Sequence, residues 1–423
     1  YEYGEGVTKD LAKAVEWYRK AAERGNAKAQ FALGECYYYG DGIEENNEEA
    51  VKWFRKAAEQ DVAKAQNLLG ECFYYGYGVK TNYWEAAKWY EKAANQGNVD
   101  AQNMFGYCYE YGKGITKDLS KAAEWYRKAA EQGYAMAQCN LGICYEYGRG
   151  VTKDLSKAAE WYRRSAEQGW AHGQYNRGLC YYYGKGVTKD LSKAVEWYRK
   201  AAEQGYANAR CCLGYCYEMG EGVTKDLAKA AEWYRKSAEQ GNATAQRNLA
   251  IFYKNGYGVT QNKEEAAKWY KKAAEVGNAD AQCDIGCCYY CGEGVKKDFG
   301  KAAEWYRKSA EQGNATAQRV LAIFYKNGYG VTQNKEEAAK WYKKAADQGD
   351  ADAQYQLGVF YENGYGVTQD KEQAMQWYKK AADQGNESAK NAIDRMQSGG
   401  MGSALAAGAA LGGAALLWKI LRG

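Results

Sequence analysis

The sequence predicts an all-α protein, an α-solenoid superhelix of about eleven helix-turn-helix repeats followed by a hydrophobic C-terminal helix. Three observations carry this. Trp17, Trp53, Trp89, Trp125, Trp161, Trp197, Trp233, Trp269, Trp305, Trp341 and Trp377 recur every 36 residues without insertion or deletion. A period of that length marks a solenoid, in which each unit buries its apolar face only against its neighbours. Inside the period the apolar spacing is helical, and no proline interrupts the 423 residues. Proline inside a helix costs about 3 kcal/mol.

One period, residues 98–133, shows the parts in order. Ala101, Phe105, Cys108 and Tyr109 fall at i, i+4, i+7 and i+8 and define a first amphipathic helix. Leu119, Ala122, Ala123, Tyr126, Ala129 and Ala130 define a second. Between them stands Gly112-x-Gly114, where the first glycine can take the left-handed cap and the second lets the chain reverse. Asp118 caps the second helix, Asn262 with Glu265 makes a fuller capping box in a later copy, and Gly133 ends the unit. Tyr1, Gly4, Gly6 and Val7 match the phase of Tyr37, Gly40, Gly42 and Ile43, so the chain opens halfway through a hairpin and upstream sequence is expected. Residues 387–397 form a closing helix whose Asp394 replaces the packing glycine, a polar cap of the kind solenoid ends need. The array is therefore 1–397, with a Gly/Ala-rich hydrophobic tail over 398–423. Asp61 stands where other copies have Gly, which marks a strained junction before Val62.

The pattern A-x-A-Q-x-x-L-G-x-x-Y-x-x-G-x-G-V-x-x-D-x-x-K-A-x-x-W-Y-x-K-A-A-x-Q-G, present from Ala137 to Gly169 and in its sister copies, resembles the Sel1-like repeat, a relative of the tetratricopeptide repeat. The resemblance spans residues 1 to about 397. It implies an α-solenoid that holds other proteins, in a family of adaptors and scaffolds with no shared chemistry. The layout also resembles adaptor subunits that flank membrane ubiquitin ligases. Secreted members join their two helices through paired cysteines, whereas here the second helix contains none.

Cys36, Cys72, Cys108, Cys144, Cys180, Cys216 and Cys288 share one repeat position, at which Phe252, Phe324 and Phe360 also occur, so the slot is apolar core. No disulfide is expected, and a reducing compartment on the cytoplasmic side fits the thiols. Cys283, Cys287 and Cys291 lie on one helix face at i, i+4 and i+8, too long a span for three ligands to meet one tetrahedral ion, so no metal is assigned. A net charge of +5 with interspersed signs gives no case for nucleic acid. His172 is the single histidine and no nucleophile has a base beside it in sequence, so neither catalytic residues nor a cofactor are assigned and an enzyme is not expected.

Comparing the copies separates scaffold from surface. Four positions on the first helix vary and lie at i, i+3, i+7 and i+10, one stripe on one face. They read Asp100, Asn103, Tyr107, Glu110; then Met136, Cys139, Ile143, Glu146; then His172, Tyr175, Leu179, Tyr182; then Asn208, Cys211, Tyr215, Glu218. In repeat superhelices of this kind the first helices line the concave groove, so the stripe is the expected partner face. The cap position before the first helix is aromatic in three consecutive copies, Tyr134, Trp170 and Tyr206. Losing a cap costs about 1 kcal/mol. These aromatics either form an exposed ridge beside His172, Tyr175 and Leu179 or fill gaps between repeats. Arg177 replaces a leucine in the same copy and is expected to meet an acid in or beside the groove.

The tail from Ser403 to Leu421 carries Lys419 as its one charge. Leu405, Gly408, Leu411, Gly412, Leu416, Leu417 and Trp418 give it a small-residue face and an apolar end. A single membrane span, a peptide docked on a partner and a disordered tail are the three readings of this stretch. The expected function is a non-enzymatic scaffold that binds a protein or peptide partner and is tethered through the tail to a membrane or assembly. The alternative is a structural subunit of a large homo- or hetero-oligomer whose tail docks into a partner.

Overall fold

Most helices begin where an extended Asn or Asp turns its side chain onto a free backbone N–H. Asn98 accepts from Ala101 N at 2.8 Å, and Asp118 accepts from Ser120 N and Lys121 N at 3.0 Å. The computed structural model describes residues 1–2 and 8–398, and these contain twenty-two helices and no strand. Val62, Tyr134 and Trp170 hold the cap position with no side-chain bond, so cap loss extends to Val62 as well. The helix Val99–Tyr111 ends at Gly112 with φ +67°, and the N–H of Lys113 closes the turn on the Cys108 carbonyl at 2.9 Å. Gly114 follows at φ +75°, and a Cβ there would stand 1.9 Å from the Tyr83 carbonyl oxygen, at the start of the preceding repeat's second helix. The second glycine is thus where one repeat rests on the last.

The two helices of a repeat touch through a tyrosine lying over a glycine. A Cβ on Gly106 would come within 2.9 Å of the Tyr126 ring. Tyr126 is buried, and its hydroxyl donates to Glu110 at 2.8 Å; Arg149 of the next hairpin turn donates to the same carboxylate at 3.0 Å. Tyr162, Glu146 and Lys185 repeat the arrangement one copy later, with contacts of 2.7 Å. Where the first helix carries Tyr74 or Tyr290 in place of the glutamate, the buried hydroxyls of Tyr90 and Tyr306 have no partner among the described residues. Phe54, opposite Tyr38, lacks the hydroxyl altogether.

A buried glutamine on most first helices joins three helices. Gln66 donates to the Ala58 carbonyl of the preceding second helix at 3.0 Å and accepts from Gln96 of the following one at 2.7 Å. Gln102 with Gln132, Gln138 with Gln168, and Gln174 with Gln204 do the same. The chain falls into two compact units, Tyr1–Ala209 and Arg210–Gly423. In each unit the helix pairs stack as a solenoid, and their core is alanine, tyrosine and the Cys/Phe slot expected from sequence. Asp61 has φ +58°, the one non-glycine in the left-handed region among the described residues, as the junction's sequence indicated.

In the second unit Ala250 and Ala322 replace the packing glycine in two nearly identical copies and are fully buried. The closing helix Glu387–Gln397 buries Ala389 and Ala392 and leaves Asp394 exposed. Among the described residues no helix is long and apolar enough to cross a membrane. The tail residues Leu405 to Trp418 lie outside the described residues.

The glutamine ladder has one break with a visible cause. Gln246 still donates to the Ala238 carbonyl at 3.1 Å, but the position that should donate back is Val276, which is 61% exposed, and Gln246 Oε1 is buried without a partner. Val276→Gln should supply the missing donor and stabilise the fold by about 1 kcal/mol. Urea denaturation checks this, and the gain should vanish in a Gln246→Ala background, where the acceptor is gone.

Candidate functional site

The expected stripe divides into a seam and a surface. Successive first helices of the first unit touch along the i+3 row: Asn103 Nδ2 meets Met136 Sδ at 3.3 Å, Asn140 donates to Asn103 at 2.9 Å, and Asn176 Nδ2 meets Cys139 Sγ at 3.4 Å. Asn103 and Cys139 are buried in that seam. Glu110 and Glu146, in the i+10 row, serve the buried tyrosines described above. The i+7 row stays at the surface, half-exposed at Tyr107, Ile143 and Leu179.

The aromatic cap residues behave in two ways. Tyr134 folds back on the preceding repeat, where its hydroxyl donates to Asp100; burial first, and then this bond, push its phenol up. Tyr206 stacks on His172 with centroids 5.4 Å apart and tilts over Tyr175 at 5.2 Å. His172 also faces Tyr175 at 6.5 Å, and burial pushes the imidazole down, so it is a neutral ring in this cluster at pH 7. Tyr175 and Tyr182 both approach the buried Tyr198, at 6.1 and 6.5 Å. Trp170 is the most open of the three cap aromatics, at 37% exposure. Tyr215 belongs to the second unit and is exposed there. His172, Tyr175 and Tyr206 therefore come together, whereas Tyr134 sits apart from them on Asp100.

A second row of the same face escaped the comparison of copies. The last residue of each first helix in this unit is a tyrosine: Tyr39, Tyr75, Tyr111, Tyr147 and Tyr183, exposed by 59, 54, 52, 61 and 61%. Each stands one turn beyond the i+7 residue, and Tyr107 lies against Tyr111 with centroids 4.4 Å apart. Tyr74 meets Tyr107 across a repeat boundary at 6.2 Å, and Tyr38 meets Tyr77 at 6.1 Å. The result is two parallel rows, Glu35, Glu71, Tyr107, Ile143, Leu179 beside Tyr39, Tyr75, Tyr111, Tyr147, Tyr183. The tyrosines were hidden because five identical copies read as scaffold. The available signal was the second unit, where the same position is Met219, Asn255, Cys291, Asn327 and Asn363.

Arg177 differs from its expectation. It is buried, and it donates to the Ala159 carbonyl at 3.2 Å and the Tyr181 hydroxyl at 2.9 Å, with the guanidinium 4.5 Å from the Tyr181 ring; its Nε is unpartnered. Among the described residues no acid pairs with it. The tyrosine at this position is taken by an arginine of the second helix in other copies, as Arg127 bonds Tyr145 at 3.3 Å, but here Arg163 is committed to Glu160 and Glu167. Arg177 fills the vacated role.

All thirteen cysteines are free thiols, and among the described residues no cluster of histidine, cysteine and carboxylate is arranged to hold a metal. Burial pushes Cys72, Cys108, Cys144 and Cys180 up to about 12. Cys291 is the exception. It is exposed, and a hydrogen bond from Cys287 pushes it down to about 7 while Cys287 is pushed up. Thiolate is the reacting species, so iodoacetamide at pH 7.5 should label Cys291 before any other cysteine. Cys287→Ala removes the donor and should slow that labelling several-fold, read by peptide mass spectrometry.

Comparison with known proteins agrees with this architecture. The Sel1 repeat profile matches residues 1–26 and then ten consecutive stretches from 27–62 to 351–386. The chain is similar to the crystal structure of c5321, described as a protective antigen of uropathogenic Escherichia coli displaying an SLR fold. The identity is 39% and the TM-score 0.73, covering 100% of this chain and 90% of that one. A Sel1 repeat protein from Oxalobacter formigenes is 34% identical with a TM-score of 0.55, over 73% of this chain and 89% of that one. No curated protein matches. Eleven repeats in register, their helical hairpins and these structural relatives together show that the chain belongs to the Sel1 repeat family.

Proposed function

We propose that this protein is a non-enzymatic scaffold that captures a protein or peptide partner along the first-helix face of its first unit. Helical repeat solenoids of this kind are generally used for protein–protein interaction, and the finer reading concerns where. The observation that carries it is the contrast between the two units at one position. Five exposed tyrosines stand before the cap glycine in the first unit, and the second unit builds the same turn with Met, Asn or Cys. The fold therefore does not need tyrosine there. Exposed aromatic side chains in a continuous row are the usual anchors of protein interfaces, since they bring large apolar area at small entropic loss. Trp170, with its cap function given up, is a further exposed aromatic of the same unit.

Free thiols support a reducing compartment for the repeats. Tethering through the tail is part of the same proposal and rests on sequence: Ser403–Leu421 has one charge and enough length for a ~30 Å hydrocarbon layer.

Two measurements test these statements. Trp170→Ala and Tyr111→Asn should each weaken capture of the native partner by about tenfold, as loss of an interface anchor does, with unchanged far-UV circular dichroism. Asn327→Ala, at the same position in the second unit, should change nothing, and equal effects in both units would remove the assignment. In a flotation assay with anionic lipid vesicles the full chain should rise with the lipid and a chain ending at Ser398 should stay below; identical behaviour would leave the tail without a tethering role.

A further inference from the structure

The two rows of the first unit have a spacing and a polarity that name a class of occupant. Successive first helices are in direct side-chain contact, which sets their axes roughly 8–10 Å apart. Tyr39, Tyr75, Tyr111, Tyr147 and Tyr183 occupy one repeat position, so the ligand meets one tyrosine per such step. A polyproline II chain turns once per three residues, about 9.3 Å, and presents every third side chain on the same side. An extended β-strand repeats its face every ~6.7 Å and an α-helix every ~5.4 Å, so neither delivers one residue per repeat in register. Proline is also the residue that loses least freedom when it is laid flat against a ring.

Polarity fixes the direction. The row beside the tyrosines begins with Glu35 and Glu71 and continues as Tyr107, Ile143 and Leu179. Both glutamates are half-buried and neither forms an ion pair among the described residues; Glu71 accepts one bond from Asn67 at 3.0 Å. Burial pushes both carboxyls up. Glu110 and Glu146, by contrast, are each met by a cation of the next turn. The strip thus has two carboxylates outside any ion pair at one end, with Lys64 near Glu35, flanked by Tyr39, Tyr75 and Tyr77, and an apolar run at the other. A guanidinium suits the first end, where it can meet carboxylate and aromatic face together.

We propose that the tyrosine strip binds a proline-rich peptide in the polyproline II form, one ligand turn per repeat, with an arginine or lysine placed on Glu35 and Glu71 and prolines on Tyr111, Tyr147 and Tyr183. This rests on the scaffold reading given above and names its ligand.

The test uses the full chain and a fluorescent peptide of about thirteen residues with arginine at its first and fourth positions and proline elsewhere, whose first to last residue spans ~37 Å in polyproline II form and so matches four repeat steps. Anisotropy should show this peptide binding about tenfold tighter than the same peptide with serines for prolines, a difference worth about 1.4 kcal/mol. The triple variant Tyr75→Asn, Tyr111→Asn and Tyr147→Asn uses a residue the second unit tolerates at this position, and should lose at least that factor with helicity intact. Glu35→Gln with Glu71→Gln should weaken binding several-fold and flatten its salt dependence, and a peptide with glutamates for arginines should bind worse than the arginine peptide. Equal binding of the serine peptide, no effect of the tyrosine variant, or preference for a basic amphipathic helical peptide would overturn the proposal. If proline preference fails while Tyr111→Asn still weakens native partner capture, the scaffold reading stands and this ligand class falls. If capture is also indifferent to Tyr111→Asn, both fall.

Discussion

The structure depends on how closely the two helices of a repeat can approach. A tyrosine ring lies where a Cβ would be, above Gly106 and its counterparts, and this short distance lets small alanines fill the rest of the interface. Because the ring is fully buried, its hydroxyl needs an acceptor, and the glutamate two residues before the cap glycine supplies it in several copies. That glutamate in turn holds the cation of the following hairpin in the first unit. Packing within a repeat and alignment between repeats are therefore one arrangement. The buried glutamine adds a second tie of the same kind, between helices of neighbouring repeats.

Much of this was legible in the sequence. Tryptophan spacing set the repeat, glycine pairs set the hairpin, and the Cys/Phe slot was placed in the core from phase alone. What was not legible shares one physical reason, namely that variation between copies was equated with freedom to bind. Asn103 and Cys139 vary because a lateral seam between first helices accepts several polar or small pairs, not because they face a ligand. Glu110 and Glu146 are committed inside the array, each to a buried tyrosine and to the cation of the next turn. Tyr39 to Tyr183 were passed over because they do not vary, although their constancy within one unit and absence from the other is the more informative pattern. Arg177 was assigned an acid partner on charge alone, where the site offers a carbonyl, a hydroxyl and an aromatic face.

The division of labour follows. Residues that join helices lie in the glycine, glutamine and tyrosine positions and are satisfied inside the array. The solvent side of the first helices in the first unit is left with aromatic rings and two carboxylates that form no ion pair among the described residues. A surface free of structural duty can change its side chains without disturbing the stack, which is how one architecture serves a family with no common chemistry.

The near-identity of residues 233–274 and 305–346 has a consequence for how such a gene changes length. Unequal exchange between the two copies removes or adds a block of two periods, and the joint it creates pairs a helix with a partner almost the same as its original one. Each repeat meets only its neighbours, so no contact elsewhere records that the block has gone. Size is then a property of this molecule that heredity can alter without first passing through a badly packed intermediate.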